Sequence, residues 1–170
     1  MQNVNARAIL TVRHDVALYR DSSGEWVYQK GSDEVVGNIL TNAGRVSLHT
    51  SIYGTPAQQS AGNIGASGLN YIGLSDNAAS PAASDIALAA ELTTDGLARA
   101  QGTVTLPTGA GVVTTIQHLF TYTGIPAQSV RKTALFDAAT GGNMCHEVLF
   151  SPKVLQTNDT LTVIMNITLT

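Results

Sequence analysis

The sequence predicts an all-β fold, mainly an antiparallel sandwich, jelly roll or β-tulip-like domain, with one or two short helices. Three observations carry that expectation. From Leu97 onward the apolar residues recur at every second position, the period of a half-buried strand. Small turn-forming clusters such as "PTGAG" and "AATGG" separate these runs. Charged residues make up only 12% of the chain, against roughly 25% in ordinary soluble domains, and Thr, Ser, Asn, Gln and Gly take their place. A neutral, hydroxyl-rich surface suits β-structured assembly proteins better than solitary enzymes, which depend on surface charge for solubility. The 170 residues suffice for one real core and are too few for two. The expected division is an N-terminal extended arm or strand over 1–30 and a single β-rich domain over 31–170.

Taken in order, "ARAILTVRHDVALYR" alternates in part, Ile9, Thr11 and Arg13 against Leu10, Val12 and His14, and reads as a strand or extended arm. The turn "DSSG" leads to a second short strand at "EWVYQK". In "SDEVVGNILTNAGRVSLHTSIYG" the period changes: Val35, Ile39, Asn42, Val46 and His49 recur at helical spacing, with Ser32 or Asp33 as N-cap. Gly37 and Gly44 weaken that helix. Residues 54–69 are small and Gly-rich, a surface loop, and "NYIGLS" is a short buried strand. "SPAASDIALAAELT" places Ser80 before Pro81 in cap-then-first-turn order, and Leu88 and Leu92 one turn apart, so a short helix is expected there.

Beyond it, Ala100, Gly102, Val104 and Leu106 alternate with Gln101, Thr103 and Thr105. Val112, Thr114, Ile116, His118, Phe120 and Tyr122 share one face of the next strand. At the C-terminus Leu161, Val163, Met165, Ile167 and Leu169 share a face, opposed mostly by Thr160, Thr162, Asn166 and Thr168.

The single cysteine, Cys145, is followed directly by His146 and Glu147, with Asp137 upstream. Thiol, imidazole and carboxylates so close together suggest an active or metal site. Strand alternation argues against it. Cys145, Glu147 and Leu149 would face one way, and Met144, His146, Val148 and Phe150 the other, so thiol and imidazole point apart. The segment reads instead as strand, turn and returning strand, with Asp137 accepting bonds from the turn backbone.

One cysteine excludes an internal disulfide framework and a multi-thiolate zinc site. His14, His49, His118 and His146 show no ligand spacing. "ATGGN" lacks the Lys and Ser/Thr of a phosphate loop. Asp85 and Glu91 are read as capping or surface groups. The chain is therefore expected to be no enzyme, with no catalytic residues, metal or cofactor. A net charge of −3 supplies no basic field for nucleic acid, and no apolar run approaches a membrane span, so neither partner is expected. Arg7, Arg13, His14 and Arg20, beside Trp26 and Tyr28, form an aromatic–basic stretch suited to contact with another protein subunit.

The series "NYIGLSDNAASPAASDIALAAELTTDGLARAQGTV", "TTIQHLFTYTG", "ALFDAATGGNMCHEVLFSP" and "NDTLTVIMNITL" resembles small virion proteins of tailed bacteriophages, including those that decorate or cement capsids. "NAGRVSLHTSIYGT" is similar to the helical lead-in of such proteins. The resemblance implies an inner strand at 71–75, a connecting helix at 85–92 and a strand entry at 96–99. It also implies paired strands at 133–137 and 144–150 and a closing strand at 160–169. It implies a capsid decoration or cement protein that binds and stabilises the major capsid protein lattice from the capsid exterior. Such a protein is made in the host cytoplasm and forms a homo-oligomer, a trimer in preference to a dimer. The alternatives are a phage tail or fibre-base structural protein and, from another class, a carbohydrate-binding β-sandwich module.

Overall fold

The computed structural model describes residues 10–19, 26–27, 37–44, 46, 68–106 and 113–169. Within them lie ten strands: β1 (Leu10–Tyr19), β2 (Trp26–Val27), β3 (Gly37–Leu40), β4 (Tyr71–Ser75) and β5 (Ala100–Gln101), then β6 (Thr103–Thr105), β7 (Val113–Thr121), β8 (Gln128–Phe136), β9 (Met144–Leu155) and β10 (Thr160–Leu169). They form two five-stranded sheets with orders β2-β1-β10-β7-β6 and β3-β9-β8-β4-β5, called sheets A and B below. Every pairing within them is antiparallel. The all-β sandwich expected from the alternation is the observed architecture.

The core lies between the sheets. Sheet A contributes Ile116 and Phe120 of β7 and Leu161, Val163 and Met165 of β10. Sheet B answers with Ile72, Leu74, Val130, Leu135, Val148, Phe150 and Leu155. The C-terminal alternation sets this register: a slip of one residue would turn Leu161, Val163 and Met165 to the outside, forfeiting about 1.5–3 kcal/mol for each buried side chain.

Three expectations are corrected. Within the helix expected around 35–49, residues 37–40 instead form strand β3, whereas 42–44 and 46 are helical, and 35, 36, 45 and 47–49 lie outside the described residues. Tertiary pairing overrides the helical spacing. Ile39 and Leu40 pair with Glu147 and His146 of β9, and a Cβ on Gly44 would stand 2.3 Å from the Cys145 carbonyl oxygen, so the chain packs tightly on that strand.

The helix expected at 85–92 is absent, and the segment runs in turns. Its backbone bonds go to sheet B and its neighbours: Leu92 N–H donates to Leu74 O, Asn42 N–H to Ala83 O, and the Ser75 hydroxyl to Ala89 O. Polar backbone groups satisfied from outside need no helix.

The alternating run 100–106 is not one strand. It leaves sheet B after Gln101 and enters sheet A at Thr103. Val104 and Leu106 are therefore exposed at the rim instead of buried. Gly102 is the crossing point, and its N–H donates to Asn70 O at 2.7 Å. A Cβ there would lie 2.7 Å from Ile116 Cγ2, 3.2 Å from Gln117 O and 3.3 Å from Ile72 Cδ1, between the two sheets.

Gly102→Ala should therefore lose about 1–3 kcal/mol through overpacking. Its urea midpoint should drop at an unchanged slope. A midpoint equal to that of the parent would show that the corner is loose.

Candidate functional site

The stretch carrying Cys145, His146 and Glu147 is the β8–β9 hairpin. Asp137 closes its turn as expected, with Oδ1 accepting from Asn143 N–H at 2.7 Å and Oδ2 from Asn143 Nδ2 at 2.8 Å. The faces differ from simple alternation. Phe136 pairs with Met144 but Leu135 with His146, so Cys145 is the extra residue of a β-bulge. The bulge moves Met144 to the outer face of sheet B, where it packs with Ala134, Phe136 and Leu88. Val148 and Phe150 stay with the inner core. Thr41 holds the bulge from the β3 side: its N–H donates to Cys145 O and its hydroxyl to Met144 O. The Cys145 thiol, buried, points to Asn143 O at 3.7 Å.

Almost every residue of β8 and β9 near this turn is buried, on both faces. The outer face is covered by segment 76–99. Arg99 clasps that cover. Its Nε and Nη2 bond Glu91 Oε1 and Oε2 at 2.8 and 2.7 Å, a bidentate pair. Nη1 donates to Ala138 O and Gly141 O in the hairpin turn at 3.0 and 2.7 Å. The guanidinium also lies 3.3 Å from the Phe136 ring centroid. A Cβ on Gly73 would crowd Phe136, Glu91 Oε1 and Leu88 together, so glycine lets the cover sit down on the sheet.

Beneath the cover, Lys132 Nζ meets Glu147 Oε1 at 2.6 Å, with side chains 3% and 1% exposed. Desolvation pushes the Glu147 carboxyl up, against the opposing pull of Lys132, and the Asp85 carboxyl beside it pushes the same way as burial. Among the described residues, no three His, Cys, Asp or Glu converge as a metal site requires.

The outer face of sheet A is different in kind. By register it carries Thr103 and Thr105 of β6, Val113, Thr115, Gln117, Leu119 and Thr121 of β7, and Thr160, Thr162, Ile164 and Asn166 of β10. None is charged. Thr115 donates to Asn166 Oδ1 at 2.8 Å, tying two neighbouring strands across the face. Val113 and Leu119 are exposed there, and Val104 and Leu106 are exposed on the terminal strand β6 and just beyond it. The threonine-rich area over β6, β7 and β10, with its scattered apolar side chains, is suited to contact with another protein, since nothing charged within it must be desolvated.

Of the expected contact residues, Arg13 and His14 lie in β1, registered opposite Asn166 and Met165, and Trp26 lies in β2 opposite Tyr19. Arg7, Arg20 and Tyr28 lie outside the described residues. Sequence reasoning missed the Arg99–Glu91 clasp and the Lys132–Glu147 pair. The available signal was a lone Lys and a lone Glu set in the apolar strands "VRKTALF" and "MCHEVLF", where charges without partners are costly.

His146 carries a measurable consequence. Burial lowers its imidazole from 6.5 to about 4. The unfolded chain binds a proton near 6.5 that the folded protein refuses until about 4, so the contribution of neutral His146 is complete above that window and lost on descending through it. The loss amounts to about 3 kcal/mol. Glu147, pushed up, acts with the opposite sign. Comparison with His146→Gln isolates the histidine: between neutral pH and about pH 4, urea unfolding should show the parent losing more stability than the variant. Parallel curves would contradict this.

Residues 62–170 match the model of a family described as podophage GP4 fiber I protein gp80. The match spans β4 to β10 with the cover segment, more than half of the chain, and the protein belongs to this family of phage virion structural proteins. No curated protein matches the chain.

Proposed function

We propose that this family member is a fibre component of the podophage virion, a non-enzymatic β-sandwich module that binds other virion subunits through the uncharged area that β6, β7 and β10 form on the outer face of sheet A. The observation that carries the reading is the family match to a fibre protein over the whole of β4–β10. The geometry supports it. One outer face is sealed by the chain's own cover segment, and the other presents, over β6, β7 and β10, threonines, Val113 and Leu119 without a charge. Copies of the chain are the first partners to consider, because an uncharged area can meet its own kind without like-charge repulsion. Adjoining tail subunits come next, in place of the major capsid protein that the sequence resemblance implied.

Capsid decoration is the second reading, since a low-charge sandwich would also serve a capsid lattice. Localisation separates the two. In particles dissociated into heads and tails, a fibre component leaves with the tails, in a few to some dozens of copies. Antibody-gold labelling should mark the tail region. Labelling spread over the head, with copies in the hundreds, would replace the fibre reading with decoration.

A further inference from the structure

An amine and a carboxyl held in contact away from water, with a second carboxyl beside them, are the reactants and the acid–base catalyst of amide formation. We propose that Lys132 and Glu147 join in an intramolecular isopeptide bond, Nζ of Lys132 to Cδ of Glu147, with Asp85 relaying protons. The inference stands apart from the fibre reading and needs only this chain.

Four features of the site carry it. Nζ lies 2.6 Å from Oε1, so the amine already touches the carboxyl group it would attack. Both side chains are almost fully buried, which excludes the water that would compete for the acyl carbon. Lys132 pairs with Leu149, and Glu147 with Ala134, so the two stand diagonally on one face of adjacent strands, within reach of a long side chain. Finally, Glu147 Oε2 is buried with no hydrogen-bond partner, and the Asp85 carboxyl lies close enough to push the Glu147 carboxyl up. Burial and the Asp85 charge push the Glu147 carboxyl toward the acid form, which has the electrophilic carbon, against the pull of Lys132.

The step balances without an oxidant or reductant. One proton crosses from the Lys132 ammonium to the Glu147 carboxylate, giving amine and acid. The amine lone pair attacks Cδ and forms the C–N bond, while the carbonyl electron pair moves onto oxygen. Asp85 takes the surplus proton from nitrogen and returns it to the departing hydroxyl. The C–O bond breaks, water leaves, and Asp85 ends as it began. The product ties β8 covalently to β9 beneath the cover segment. A plain buried ion pair is the competing description, and it leaves the mass of the chain unchanged.

The test uses the full chain, purified in its folded state. Intact-mass spectrometry should give a mass lighter by one water than the sequence requires. A tryptic digest should contain a branched peptide joined between Lys132 and Glu147. Lys132→Arg should restore the full mass, and Asp85→Asn, checked for native circular dichroism, should remain largely unlinked. Folded parent protein at full sequence mass overturns the proposal, whatever the variants do. A branch at Asp85 overturns the choice of acyl partner, and complete linkage in Asp85→Asn removes the relay role.

Discussion

The β8–β9 hairpin is buried on both faces, and the rest of the structure answers that constraint. Its inner face meets the side chains of β7 and β10 in the core. Its outer face cannot be left to water, because Ala134, Phe136 and Met144 are there. Segment 76–99 therefore lies across it, with Leu88 as the apolar contact and Arg99 as the clasp to both Glu91 and the hairpin turn. Covering a strand that carries Lys132 and Glu147 removes both from solvent. Each alone would be a buried unpaired charge costing about 3–5 kcal/mol, and together they compensate.

The same constraint explains why the two outer faces differ. The connection over 76–99 lies on sheet B. The outer face of sheet A keeps side chains that tolerate either water or protein, threonines above all, with Val113 and Leu119 exposed among them. A module that seals one face and leaves an uncharged area of the other open is built to be one part of a larger particle. The family match to a fibre protein accords with that design.

Much of the sandwich was legible in the sequence. Periodicity placed β7 and β10, the burial of Ile116, Phe120, Leu161, Val163 and Met165, and the hairpin with Asp137 in its turn. The misreadings share one physical cause. Helical spacing at 37–40 and 85–92 reports local preference, whereas these segments satisfy their backbones on β9 and β4, distant in sequence. Strict alternation likewise cannot register a bulge, so Met144 was assigned to the wrong face. At Gly102 the period continues through a change of sheet, because glycine has no side chain to mark it. The Arg99 clasp joins residues eight and about forty positions apart, a separation that no local pattern encodes.

The central claim is that the cover segment is held on sheet B as a separate clasped layer. Hydrogen exchange on the full chain, compared with Arg99→Ala, tests it most directly. The account predicts faster exchange at the Leu92, Asn42 and Asn143 amides, which bond Leu74, Ala83 and Asp137, while Phe120 and Val163 in the core keep their protection. Unchanged exchange at the first three amides, or equal loss of protection through both sheets, would contradict it.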